Sequence, residues 1–275
     1  MKDQNTGNPK YSPVVLTIAG SDACGGAGIQ ADLKTMMAFG VYGMSVITAV
    51  TAQNTCGVTA VENISGEMIG AQLQAVMEDI PPDAVKIGML STTEACQAVA
   101  ECMKKYRPCH VVLDPVMVST SGRRLLEPDA EQEMLRLFPM VELITPNIPE
   151  AEALTGVRME RPEDMEQAAR LLHERYGCGV LIKGGHMQKA ANDLLYDGQV
   201  HWYAAERIAC HNTHGTGCTL SSAIASGLAR GYSMEEAVHM AKQYVRGAMS
   251  TDLNLGQGNG PLHHGWNISS ACVRI

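Results

Sequence analysis

Short apolar runs alternate with longer segments whose apolar positions recur at helical spacing, from about residue 14 to residue 250. The runs Val14–Ala19, Ser45–Ala52, Val58–Ile64, Ala84–Leu90, His110–Asp114, Val141–Thr145 and Gly179–His186 predict strands. The segments Ile29–Phe39, Glu67–Ile80, Thr92–Tyr106, Asp129–Phe138, Glu163–Tyr176, Gly217–Arg230 and Met234–Ser250 predict helices. In Glu67–Ile80, for example, Ile69, Leu73, Val76 and Met77 share one face. Strand and helix in alternation imply a parallel sheet covered on both faces, with ligands at the carboxyl ends of its strands. Asp193–Tyr196 and Val200–Tyr203 flank Asp197-Gly198, a hairpin signal that extends the sheet. No repeat, linker or shift of composition divides the chain, so residues 13–265 are expected to form one domain. Residues 1–12 read as a disordered lead-in and residues 266–275 as a tail.

Composition narrows the function. With 275 residues, 45% hydrophobic, 27 glycines and 4% aromatic, the chain suits helices packed closely on a sheet. The formal charge of −8, with no run of Lys or Arg, argues against a nucleic-acid surface. The first dozen residues are polar, which argues against a signal peptide or a membrane anchor. Nine cysteines without a CxxC pair fit a reduced, cytoplasmic setting, most of them as small buried hydrophobes. His263, His264 and Cys272 match no zinc spacing.

The candidate chemistry begins at Asn212-Thr213-His214-Gly215-Thr216-Gly217-Cys218, which runs straight into a helix. Unpaired backbone N–H groups at such a start, beside the positive end of the helix dipole, make an anion site. The plain alternative is a glycine-bearing turn before a packed helix. Cys218 in the first turn sits where the dipole is expected to lower a thiol pKa. A second glycine-rich loop, Gly20 to Gly28, follows the first strand; it is neither the dinucleotide fingerprint nor a P-loop, but it allows close backbone approach to a ligand. Asp22 and Asp32 either hydrogen-bond that ligand or cap and solvate the next helix. Gln53, Asp114, Asn147, Glu150 and Lys183 fall at successive strand ends and would line one edge of the sheet. The polar stretch Pro115 to Arg124 reads as a lid over it. Together these features suit phosphoryl transfer, with Asp114 and Glu150 acting through Mg²⁺ and Lys183 neutralising a phosphate.

The strings Thr17 to Asp22, Gly25 to Thr35, Thr48 to Asn54, Lys86-Ile87-Gly88-Met89, Leu113 to Met117, Thr145-Pro146-Asn147-x-Pro149-Glu150, Lys183 to His186 and His214 to Cys218 occur in this order. The chain thereby resembles the hydroxymethylpyrimidine/phosphomethylpyrimidine kinases of thiamine biosynthesis, in the ribokinase-like superfamily. The resemblance implies a three-layer α/β/α sandwich whose mostly parallel sheet has an antiparallel edge. It also implies a homodimer that uses ATP and Mg²⁺ to phosphorylate 4-amino-5-hydroxymethyl-2-methylpyrimidine and then its monophosphate. By motif, Gln53 would bond the pyrimidine edge and Ala27, Met89 and Val116 would form its apolar slot, with Asp22 and Asp32 in the same region. Asp114 and Glu150 would serve Mg²⁺ and ATP beside Asn147, while Lys183, Thr213 and the amides of Gly215, Thr216 and Gly217 face the phosphates. Cys218 stands where most sugar kinases of the superfamily carry an aspartate base. A thiol that stays neutral would let one site accept both an alcohol and a phosphate. The run Ser119-Thr120-Ser121-Gly122 departs from the lysine that many members carry near this lid, and Arg123-Arg124 reads either as lid cations or as a solvated turn. Two alternatives accompany this reading: a pyridoxal kinase of the same superfamily, and a non-catalytic nucleotide- or vitamer-binding protein.

Overall fold

Each central strand sends alternate residues to opposite faces, and both faces are apolar, so the sheet must be covered twice. In the computed structural model, which describes residues 12–118, 122, 124–185, 191–251 and 253–268, nine strands form one sheet in the order β3-β2-β1-β4-β5-β6-β7-β8-β9. Strands β1 (Val14–Asp22), β2 (Tyr42–Asn54), β4 (Ala84–Ile87), β5 (Val111–Leu113), β6 (Leu143–Ile144) and β7 (Gly179–Ile182) are mutually parallel. β3 (Gly57–Asn63) closes one side antiparallel, and the predicted hairpin of β8 (Asp193–Tyr196) and β9 (Val200–Tyr203) closes the other.

The two covering layers follow from strand alternation. Val14, Leu16, Ile18, Val85, Ile87, Val111 and Leu113 join one core with helices α2 (Gly66–Asp79), α3 (Thr93–Tyr106), α4 (Ala130–Leu135), α5 (Ile148–Thr155) and α6 (Pro162–Tyr176). Val15, Ala84, Val112, Leu143 and Leu181 point the other way, onto α1 (Gly28–Ala38), α7 (Thr216–Ala229) and α8 (Met234–Ser250).

Three expectations shift at element ends. The helix expected over Asp129–Phe138 stops at Leu135, and a 3-10 turn takes over at Phe138–Met140, because Pro139 cannot donate to a continuing α-helix. The strands expected to run to Leu90 and His186 leave the sheet at Ile87 and Ile182; His186 lies outside the described residues. Helix α5, absent from the sequence reading, is started by a reciprocal Asn147–Glu150 capping box with Pro149 in the first turn, and Gly156 ends it at φ 74°. Of the tail, Trp266 packs against α8, where a side chain at Gly247 would overlap its indole, and its ring lies 6.3 Å from that of Tyr244. The suspected lid is described only in part: Val118 bridges Arg124, whose guanidinium donates to the Leu126 carbonyl at 2.8 Å, while Ser119, Thr120, Ser121 and Arg123 lie outside the described residues.

Behind α7, His264 is buried with Nε2 3.0 Å from the Thr219 hydroxyl. Burial first, then the nearby Lys34 charge, lowers its pKa to about 4. A folded-state pKa below the unfolded one means that the unfolded chain binds the extra proton, so this contribution to stability is present above about pH 6.5 and lost as pH falls toward 4. Thermal melts between pH 7 and pH 4.5 should show the midpoint falling, and His264→Gln, which cannot titrate, should flatten that part of the profile.

Candidate active site

The carboxyl ends of β5, β6 and β7 open into a group of polar side chains. Asp114, one residue past β5, is nearly fully buried, and its Oδ1 accepts from Lys183 Nζ at 2.6 Å and from the Thr145 hydroxyl at 3.1 Å. Lys183, one residue past β7, is held in register by a parallel bridge to Asn147, and Asp193 on β8 accepts from the Gly184 N–H at 2.9 Å. Helix α7 begins directly above this pair. Its N-cap, Gly215, has φ 81° and supplies no side-chain acceptor, and a Cβ on Gly217 would stand 3.2 Å from Asp114 Oδ2 and 3.3 Å from Lys183 Nζ. The start of α7, where the sequence leads one to expect an anion site, therefore lies over a lysine, and a Cβ at Gly217 would crowd both side chains.

Glu150 faces the same group from the first turn of α5, accepting from the Asn147 N–H at 2.8 Å. Burial, and secondarily the Asp114 charge, raises its pKa to about 7 against the opposing pull of Lys183. Lys183 is itself raised: burial works against its charge, but Asp114 and Glu150 outweigh it. The carboxylates of Asp114 and Glu150, both buried, offer hard oxygen donors, which suit a divalent cation such as Mg²⁺. Among the described residues, three ligand-type side chains gather within 4.8 Å of one another at Asp22, Cys24 and His214, where the hydrogen bonds of Cys24 and His214 to Asp22 account for the closeness.

The glycine-rich loop after β1 packs directly on the α7 entrance. Asp22 organises it, accepting from the amides of Cys24, Gly26 and Ala27 at 2.9, 3.1 and 2.8 Å and from His214 Nε2 at 2.8 Å. Burial alone would raise its pKa; the bonds from His214, Cys24 and Ala27 together lower it. A side chain at Gly215 would overlap the Gly26 carbonyl, so the two loops meet backbone to backbone. Gln53, at the end of β2, reaches His214 at 3.3 Å, and the Met89 thioether lies beside Gly20. Ala27 caps α1, and Val116 follows Asp114 with its N–H on the Asp114 carbonyl. Thr213 stands just before the α7 entrance, its carbonyl 3.4 Å from the Thr216 N–H.

Two expectations need correcting here. The Cys218 thiol is raised above its ordinary pKa, because burial and the charges of Asp32 and Asp114 outweigh Lys86 and the Gly28 N–H. The helix dipole does not make it a thiolate. Asp32 neither caps nor solvates α1. It is fully buried, bonded to Lys86 Nζ at 2.8 Å, to the Thr17 hydroxyl at 2.6 Å and to the Ser222 hydroxyl at 2.6 Å, beneath Cys218. Its carboxylate is taken up by three donors of the protein, which leaves it a supporting place rather than one against a ligand.

Sequence reasoning missed Lys86 and His214. Lys86 interrupts an otherwise apolar buried strand, and a charge there requires a buried partner. His214 lay inside a quoted motif, but nothing in its spacing named Asp22 or Gln53 as partners.

The phosphomethylpyrimidine kinase family model matches residues 22–263. The hydroxymethylpyrimidine/phosphomethylpyrimidine kinase of Rhizobium meliloti is 49% identical over 257 residues, covering 91% of this chain and 96% of that protein. The thiamine biosynthesis bifunctional protein ThiED of Geobacter sulfurreducens is 49% identical over 91% of this chain, which spans only 52% of that longer relative. Among solved structures, the phosphomethylpyrimidine kinase of Clostridium difficile superposes with a TM-score of 0.77 at 49% identity, covering 86% of this chain and 98% of that one. The Bacillus subtilis pyridoxal kinase bound to ADP superposes with a TM-score of 0.85 at 37% identity, covering 93% of this chain and 98% of that one.

Proposed function

The chain belongs to the phosphomethylpyrimidine kinase family, and from that premise we propose how its residues divide the work. It is a ribokinase-like phosphotransferase of thiamine biosynthesis that uses ATP to phosphorylate the pyrimidine alcohol and then its monophosphate. The observation that carries the assignment of roles is the Lys183–Asp114 pair at 2.6 Å, set under the start of α7 with Gly217 against both. The amides of Gly215, Thr216 and Gly217 at the start of α7 receive the phosphoryl oxygens, with Thr213 beside them. Lys183 neutralises the charge that develops there. Asp114 and Glu150, supported by Asn147, hold Mg²⁺, which when bound draws charge from the phosphates. Asp22 and its loop close one side of the pyrimidine slot, lined by Ala27, Met89 and Val116, and Gln53 reads the ring edge. Asp32 supports Cys218 and α7 from below. We further propose a cytoplasmic homodimer; no helix among the described residues is long and apolar enough to cross a membrane.

One coupled assay of ADP release tests this reading, with the pyrimidine alcohol, its monophosphate and pyridoxal offered separately. Turnover of the monophosphate supports it, and turnover of pyridoxal alone overturns it. Pyridoxal remains a second reading as a side substrate, favoured by the TM-score of 0.85 to the pyridoxal kinase.

The raised thiol pKa gives Cys218 its part. A thiol held neutral can accept or donate a hydrogen bond to the alcohol and yet adds no charge opposite an incoming phosphate. Cys218→Asp would add a third buried carboxylate near Asp32 and Asp114, and two like charges about 4 Å apart repel by on the order of 4 kcal/mol at an effective dielectric of 20. The substitution should retain more of the first phosphorylation than of the second, read as separate kcat/KM values. Equal losses in both steps would sink the idea.

A further inference from the structure

The hydrogens around Gln53 can be counted, and they fix which way its amide faces. The Thr51 hydroxyl stands 2.9 Å from the Ser21 carbonyl and 3.0 Å from the Gln53 amide atom on its side. The other end of that amide stands 3.3 Å from His214 Nε2, which is also 2.8 Å from Asp22 Oδ2. Asp22 Oδ2 already faces the amides of Gly26 and Ala27 at 3.1 and 2.8 Å, so it is an acceptor, and His214 Nε2 must carry the hydrogen between them.

With the amide nitrogen toward His214, two donors would face each other. The amide oxygen would then lie toward Thr51, whose single hydroxyl hydrogen would have to serve both that oxygen and the Ser21 carbonyl. Turning the amide end for end removes both conflicts. The oxygen then takes a second, longer branch of the His214 Nε2–H. The nitrogen donates to Thr51 Oγ1, and the Thr51 hydrogen goes to the Ser21 carbonyl. Amide ends and hydroxyl hydrogens are assigned by this kind of network, and only one assignment leaves every atom paired.

We propose that His214 and Thr51 are positioning residues that lock the Gln53 amide with its oxygen on the His214 side and its nitrogen on the Thr51 side, and so decide which ring edge the site accepts. This rests on the reading of Gln53 as the residue that meets the pyrimidine. The locked amide keeps one N–H and one oxygen lone pair for the ligand, in a fixed left-to-right order. An acceptor nitrogen beside an exocyclic amine fits that order in one ring orientation only, so the amide fixes how the ring is turned in its slot. An amide free to turn would half the time set its oxygen against the ring nitrogen, lone pair to lone pair. Asp22 is the anchor of the device, because it holds the His214 hydrogen on Nε2.

The test compares kcat/KM for the pyrimidine alcohol with that for its analogue in which CH replaces the ring nitrogen beside the amine. The wild-type enzyme should prefer the pyrimidine by about 10- to 100-fold, the factor expected when the analogue leaves the one Gln53 N–H that met the ring nitrogen without a partner. His214→Leu and Thr51→Val should bring that preference to within about threefold, while His214→Gln and Thr51→Ser, which keep the N–H and the hydroxyl, should hold it. A merely structural role would lower both substrates together and leave the ratio alone. An unchanged ratio in His214→Leu and Thr51→Val overturns the proposal, provided that Gln53→Leu collapses it. An unchanged ratio in Gln53→Leu overturns the reading of Gln53, and the proposal with it.

Discussion

Lys183→Met is expected to lower kcat for both phosphorylations by about 10²–10³-fold, the scale for losing one group that stabilises charge developing in the transition state. The ammonium is 2.6 Å from Asp114, and its side chain is only 16% exposed, so no solvent cation takes its place at the same point. Its removal also leaves Asp114 and Glu150 facing each other without the group that holds the Glu150 pKa down, so Glu150 should bind its proton still more tightly. Asp114→Asn should cost a similar factor. Because the two side chains act as one unit, the double variant should be little worse than either single one. Steady-state ADP release at saturating ATP checks the losses, and circular dichroism confirms the fold. Independent, multiplicative losses in the double variant would show that the pair is not a unit.

The largest stability effect is expected one layer down. Lys86 and Asp32 are both fully buried at 2.8 Å, and Lys86 is raised above the ordinary lysine range because Asp32 first, then Cys218 and Asp114, outweigh the cost of burial. Breaking a buried pair from one side leaves an uncompensated charge, at a cost of about 3–5 kcal/mol. Lys86→Met should therefore lower the unfolding midpoint by roughly 10 °C in a chain of this size. Adding Asp32→Asn, which removes the second charge and keeps polar contacts to Thr17 and Ser222, should recover most of the loss. Denaturant melts of the single and double variants measure this. A double variant as unstable as Lys86→Met alone would show that the pair's charges are not the source of the cost.

Most of this fold was legible because burial on both faces of a parallel sheet leaves a strong apolar pattern. The hairpin over Asp193–Tyr196 and Val200–Tyr203 and the helix Met234–Ser250 fall where the pattern places them. Helix α5 was hidden by its own start: two prolines around Asn147 read as strand-end punctuation, although proline is tolerated in a first helical turn. In the site, Asp114 and Lys183 could be read because they sit one residue beyond their strands, and Asn147 three beyond its own, where topology alone brings them together. The Cys218 pKa could not be read, because a local rule about helix starts says nothing of burial in the finished fold, or of the carboxylates of Asp32 in α1 and Asp114 just past β5. The Lys86–Asp32 pair fell between the two cases. A lysine in Ala84-Val85-Lys86-Ile87 announces that a partner exists, but only the packing of α1 on the sheet, which brings Asp32 to it, says which.

The contact between the glycine-rich loop and the entrance of α7 also bears on how the chain comes to be an enzyme. His214 meets Asp22 across 192 residues of sequence, and Ser222 meets Asp32 across 190. Contacts of such long range form late, after the intervening strands have paired. During synthesis from the amino terminus, the contact between the first loop and α7 cannot form until nearly the whole domain has emerged. Catalytic competence is then a property of the finished chain, acquired in one late step.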